Sequence, residues 1–258
     1  MSFGSFASFS SAASFDGQRV IIVGGSTGIG EAAARAFAAA GAQVTITGRA
    51  KPRLDAAAQR IGYPVGAAAF DATDGAAVTG FFETAGPVDH LVLAASPGAV
   101  GSGPFADLTE DALRQAFDGK FFAHVKVLQA ARPRLRADGS VTIVSAVSAR
   151  AAYPGAAGLA AVNGALEAMV PTLAVELAPL RVNAVSPGVI DTPWWSGLPA
   201  DQRAGFFAAV AAASPAGRVG TAEDVAAAIV YLAGAGFVTG TVLECTGGAN
   251  LTVGAIAG

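Results

Sequence analysis

The chain has 258 residues, a formal net charge of −3 and a hydrophobic fraction of 53%, which suits one sizeable α/β domain whose core needs no metal or disulfide. An acidic balance, with a pI near 5.3, argues against nucleic acid and anionic membrane surfaces as partners, because both select basic patches. A single cysteine, Cys245, excludes an intrachain disulfide framework and suits a reducing cytosol, so the expected location is cytoplasmic.

Residues 1–15 are biased toward Ser, Ala and Phe. They lack a basic start and a continuous apolar core, so they do not read as a signal peptide. They are expected to form a loose extension, or to tuck their Phe rings onto a neighbouring subunit, ahead of a domain spanning residues 16–258. Mean hydropathy is positive, at +0.52. Apolar runs are nevertheless cut by Gly, Pro or charge short of the ~20 residues that cross a bilayer, so no membrane span is expected.

The run Arg19-Val-Ile-Ile-Val23 closing on Gly24 predicts a buried parallel strand. Glu31 to Ala40 is helical by propensity and stops at Gly41. The alternation continues with a strand at 43–47, a helix at 52–61, a strand at 65–70, a helix at 76–85 and a strand at 90–94. A long helix follows Thr109, with Glu110 and Asp111 suited to its first turn. Then come a strand at 140–145, a helix at 155–177 containing Pro171, a strand at 181–185, a helix at 222–233 and a short strand at 241–244. Strict alternation predicts an α/β fold: one doubly wound parallel sheet, Rossmann-like.

Gly24-Gly25-Ser26-Thr27-Gly28-Ile29-Gly30 falls where the first strand turns into the first helix. Glycines there let the backbone approach a pyrophosphate, and the helix N-terminus offers free N–H groups and a positive dipole. The second strand ends in Thr47-Gly48-Arg49, where an acid would bind the adenosine 2′-hydroxyl of NAD. Arg49 can instead fork onto a 2′-phosphate, with Ser26 and Thr27 as hydroxyl donors, so NADP is expected over NAD. No His, Cys or Asp cluster has metal-ligand spacing.

The Gly-x-x-x-Gly-x-Gly spacing and the block Arg181-Val-Asn-Ala-Val-Ser-Pro-Gly188 resemble the short-chain dehydrogenase/reductase family over nearly the whole chain. The resemblance implies that Asp71 holds the adenine amino group and that Pro187, Gly188, Val189 and Thr192 contact the nicotinamide carboxamide. Of the family's Asn-Asn-Ala-Gly loop only Ala95 is kept, in Leu93-Ala-Ala-Ser96, and Val23 replaces the Thr usual before the first glycine. The family's proton machinery is an Asn-Ser-Tyr-Lys tetrad, and here its positions hold Lys120, Ala146, Leu159 and Asn163. Leu159 and Ala146 can neither donate nor ionise. Lys120 and Asn163 are exchanged relative to the family, so Lys120 is expected to reach the nicotinamide ribose while Asn163 donates to it. Tyr153, before Pro154, is the candidate replacement proton donor. Ser145 is expected to face away from the cofactor. His90 and His124 are expected to serve as a strand-start and a helix-face residue, and Trp194-Trp195 to cover a bulky apolar substrate or pack a subunit.

The expected function is therefore an NADP(H)-dependent oxidoreductase with an atypical site centred on Lys120 and Tyr153, acting on a small carbonyl or alcohol. The alternatives are a silent NADP-binding protein, serving as sensor or partner subunit, and an isomerase or lyase using the same pocket. By resemblance the chain forms a homo-oligomer, a tetramer paired through its fourth and fifth helices.

Overall fold

The structure, a computed structural model, describes residues 14–251. The segment 1–13 of the N-terminal extension lies outside the described residues. Seven parallel strands form one sheet in the order β3 (Val65–Ala69), β2 (Gln43–Gly48), β1 (Arg19–Val23), β4 (Val88–Leu93), β5 (Leu135–Val144), β6 (Arg181–Pro187) and β9 (Val242–Cys245). The strand order reverses between β1 and β4, which is where doubly wound sheets open a ligand crevice at their carboxyl edge.

Helices cover both faces. The sheet is buried on each side because both faces carry apolar side chains, as a parallel sheet requires. On one face α1 (Gly28–Ala39), α2 (Lys51–Ile61) and α8 (Ala222–Gly234) bury Phe37, Leu54 and Ile229 against Ile22 and Ile46. On the other, α3 (Gly75–Thr84), α5 (Ala123–Ala131) and α6 (Ala157–Glu176) bury Phe82, Val127 and Leu166 against Leu91 and Ile143.

Phe15 belongs to this core, although sequence placed it at the end of the extension. Its ring is 1% exposed and meets Phe37 and His90 edge-on at 5.0 and 5.3 Å. His90 is likewise a core residue, with Nε2 2.6 Å from Gln18 Oε1 and Nδ1 2.8 Å from Ser140 Oγ. Burial pushes its pKa down to about 4, so the ring is neutral at physiological pH.

Three features depart from the sequence expectation. The long helix after Thr109 is not continuous α. Its first part, α4 (Glu110–Ala116), is capped by Thr109 Oγ1 accepting from the Ala112 N–H at 3.2 Å, and a π-helical stretch at Phe117–Phe122 separates it from α5. An additional helix, α7 (Ala200–Ala213), follows a short 3₁₀ segment at Pro193–Gly197. Two-residue strands β7 (Ile190–Asp191) and β8 (Gly220–Thr221) pair in parallel as a separate small sheet.

By length and composition alone α6 could cross a membrane, but Gly158, Gly164, Glu167 and Pro171 interrupt its apolar run, as expected, and its Leu166 and Val170 pack into the core. It runs on through Pro171, which is exposed. Nothing in the structure accounts for that proline.

Candidate active site

The glycine loop is built by close backbone approach. The N–H groups of Gly24 and Gly25 donate to Thr47 O at 3.0 and 3.1 Å, tying β1 to β2. A Cβ on Gly24 would stand 2.6 Å from Ala95 N, and one on Gly30 only 2.1 Å from Gly24 O. Any side chain at either position would force the loop apart. Thr27 precedes α1 in an extended conformation and makes no side-chain cap, so the first-turn N–H groups are left for a ligand.

Of the remaining cofactor candidates, Ala95 and Thr192 lie against this loop. A Cβ on Gly28 would lie 3.3 Å from the Thr192 side chain, which brings the segment after β6 over the loop. Gly188 is locked in turn, its N–H donating to Cys245 O at 3.0 Å. The Val189 carbonyl accepts from Gly220 N at 2.9 Å. Ser26 lies beside the end of β2, with its Oγ 3.7 Å from a Cβ position at Gly48. Arg49, next along, is exposed. Asp71 accepts from the Thr73 N–H and hydroxyl, each at 2.9 Å, and these bonds with the nearby Arg49 and Lys126 charges hold its carboxyl below the usual range.

Two supports of the loop were not legible in sequence. Arg60, on the last turn of α2, donates from Nη2 to Ser26 O at 3.2 Å and grips Glu31 of α1 through both Nε (3.0 Å) and Nη2 (2.7 Å). His124 donates from Nε2 to Ala95 O at 3.0 Å, beneath the residue whose N–H abuts Gly24. Burial and the Lys120 charge push the His124 pKa down to about 3, so it is a neutral donor rather than a base. Its placement on a helix face was expected; its bond to the loop was not.

Lys120 sits on the π-helical stretch, one turn before His124. Its Nζ donates to Asn163 Oδ1 at 2.7 Å and to Ser145 O at 3.2 Å. The two residues taken as exchanged are therefore directly paired. Asn163, 3% exposed, donates from Nδ2 to Leu159 O at 2.9 Å and Ser148 Oγ at 3.2 Å. Both of its N–H bonds are engaged within the protein, so it aims Lys120 rather than offering a donor of its own. Burial pushes the Lys120 pKa down to about 8, with the Glu167 carboxylate opposing.

Ser145 turns its carbonyl to Lys120 and its hydroxyl to Glu167 of α6. Its Oγ donates to Glu167 Oε1 at 2.6 Å. Tyr153 has its phenol oxygen buried and without a partner among the described residues. Burial raises its pKa above the ordinary 10. No hydrogen bond joins it to Lys120 or Asn163 among the described contacts. Beyond Thr192, Trp194 and Trp195 meet at 4.5 Å, and Trp195 packs on Phe206 and Phe207 of α7 at 5.0 and 5.9 Å. Trp195 Nε1 donates to Ile190 O at 2.9 Å, anchoring this aromatic group beside Thr192.

A glycine loop at a helix N-terminus, at the carboxyl edge of a doubly wound parallel sheet, is the arrangement of a dinucleotide-binding fold. The family model described as enoyl-(acyl carrier protein) reductase matches residues 23–250. A short-chain dehydrogenase/reductase of Stachybotrys chlorohalonatus, ATR9, is 33% identical over 253 residues, covering 91% of this chain and 98% of that protein. L-fucose dehydrogenase of Rattus norvegicus is 33% identical, covering 93% and 92%. A solved short-chain dehydrogenase/reductase superposes with a TM-score of 0.83 at 32% identity, covering 92% of this chain and 99% of its own. A small-chain dehydrogenase in complex with NADPH superposes with a TM-score of 0.79 at 31% identity, covering 92% and 100%. The chain belongs to the short-chain dehydrogenase/reductase family of oxidoreductases.

Proposed function

We propose that this protein is an NADP(H)-dependent oxidoreductase of a small carbonyl or alcohol whose working residues are Lys120 and Tyr153. The observation that carries this is the 2.7 Å bond between Lys120 and Asn163. Two residues changed at separate positions meet in one pair, as compensating substitutions would.

The residues present fit a nicotinamide dinucleotide. The uncapped first turn of α1 and the glycines that admit no Cβ form a pyrophosphate cradle. Arg49, exposed beside Ser26, supports a 2′-phosphate and hence NADP over NAD, and a solved relative is described as an NADPH complex. Asp71, Ala95, Pro187, Gly188, Val189 and Thr192 would complete the binding surface. The bound cofactor would supply or accept a hydride.

The chain's own groups do the rest. Lys120 has one N–H beyond those given to Asn163 and Ser145, and that donor orients a ribose hydroxyl or steadies an oxyanion on substrate. Tyr153, kept protonated through neutral pH by its raised pKa, is the proton donor. The Trp194–Trp195 group supports a bulky apolar substrate. Ala161, Ala168 and Val175 are exposed on α6 and Phe122 beside it, and this apolar surface supports assembly as a homotetramer, while the single cysteine supports a cytoplasmic location.

Titration with NADPH and NADH, followed by a carbonyl panel, tests the reading. The expected result is NADPH binding at least ten times tighter, reversed or erased by Arg49→Asp. Equal affinities sink the NADP assignment. Cofactor bound but never consumed favours a silent NADP-binding protein. Light scattering at micromolar concentration should give a tetramer.

A further inference from the structure

We infer that Glu167 is a positioning residue that keeps Lys120 charged, acting across Ser145. This rests on Lys120 being the working residue of the proposed site.

Glu167 lies on the buried face of α6, 8% exposed. A buried carboxylate demands compensation. One oxygen, Oε2, takes Arg150 Nε at 2.7 Å. The other, Oε1, takes the Ser145 hydroxyl at 2.6 Å, and the carbonyl of that same serine takes Lys120 Nζ at 3.2 Å. Arg150 is shared with Glu244 of β9, Nη1 to Oε1 at 3.2 Å. Charge thus alternates from Lys120 through Glu167 and Arg150 to Glu244, and Lys120 forms one end of the row.

The other groups around Lys120 add no charge near neutrality. Asn163 and Ser148 do not ionise, His124 is buried and neutral, and the Tyr153 phenol stays protonated. Burial alone disfavours the ammonium, and Glu167 is the carboxylate that opposes it. Removing Glu167 should therefore make Lys120 lose its proton more easily. Removing Arg150 should do the opposite, because it takes away a cation that competes for the same carboxylate.

The opposite signs make a test that a purely structural role fails. Full-length, cofactor-free protein is trace-labelled with acetic anhydride across pH 6–10, and Lys120 modification is read by peptide mass spectrometry with Lys126 as internal reference. The parent midpoint is expected near 8. Glu167→Gln should lower it by at least roughly threefold in proton affinity, and Arg150→Gln should raise it. An unchanged or raised midpoint in Glu167→Gln overturns the inference. Should that variant fail to fold, an unchanged or lowered midpoint in Arg150→Gln overturns it instead. Because labelling needs no cofactor, the outcome is independent of the NADPH titration. Midpoints that shift as expected in a protein that binds no NADPH would leave the Glu167 role standing and sink the cofactor assignment alone.

Discussion

Lys120→Met removes the ammonium and keeps an unbranched stem. Holding the pKa at about 8 against an ordinary 10.5 costs the folded state roughly 3 kcal/mol below pH 8, at about 1.4 kcal/mol per tenfold in proton affinity. The substitution relieves that cost. It also leaves two acceptors, Asn163 Oδ1 and Ser145 O, without their donor, at about 1–3 kcal/mol each. The two effects offset in part, so stability should fall by no more than about 3 kcal/mol, or ~6–12 °C in Tm for a domain of this size. Cofactor affinity has no such compensation. Losing one charge-assisted hydrogen bond should weaken NADPH binding at least tenfold, on the order of 1.5–3 kcal/mol. Thermal unfolding and NADPH fluorescence titration at pH 7 measure both quantities. A Tm drop well beyond ~12 °C with an unchanged Kd would show that Lys120 is structural and refute the reasoning. The sign with pH is also set. The folded pKa lies below the unfolded one, so the cost is fully present below pH 8 and disappears as pH rises from about 8 to 10.5. Urea midpoints at pH 7.5 and 10 should therefore show the parent gaining on Lys120→Met.

His124→Phe should raise the Kd for NADPH several-fold by releasing Ala95 from beneath Gly24, whereas His124→Asn, which retains a donor, should recover much of the affinity; equal Kd values for the two variants in the same titration would contradict this. Tyr153→Phe removes a buried hydroxyl without a partner among the described residues, so Tm should hold or rise while turnover of any substrate found falls by roughly 10²–10⁴; an unchanged kcat would exclude Tyr153 as the proton donor. Restoring the family residues together, with Lys120→Asn, Ala146→Ser, Leu159→Tyr and Asn163→Lys, should increase NADPH-linked ketone reduction over the parent, and a folded but inert variant would argue against a sound scaffold.

The order of strands and helices was legible because it is local. A continuous apolar run such as Arg19–Val23 is a buried strand wherever it lies, and a helix that ends on Gly41 stops for reasons within its own few residues. The glycine loop was legible for the same reason, since Gly24 to Gly30 must bend the chain from strand to helix. The helix α7 was not. Its Ala-rich sequence around Gly205 has no apolar stripe, and Trp195 packing on Phe206 and Phe207 is a contact between segments. The π-helical turn bearing Lys120 was invisible as well, because propensity does not distinguish it from α-helix. By itself, then, the sequence determined the fold class and the glycine turn from strand to helix. Only the tertiary structure decided that Phe15 is core, that His124 and Arg60 brace the cradle, and that Lys120 meets Asn163 across 43 residues of chain. These contacts join positions far apart in sequence, and a side chain's partner there depends on where the folded backbone carries it, not on the residues beside it.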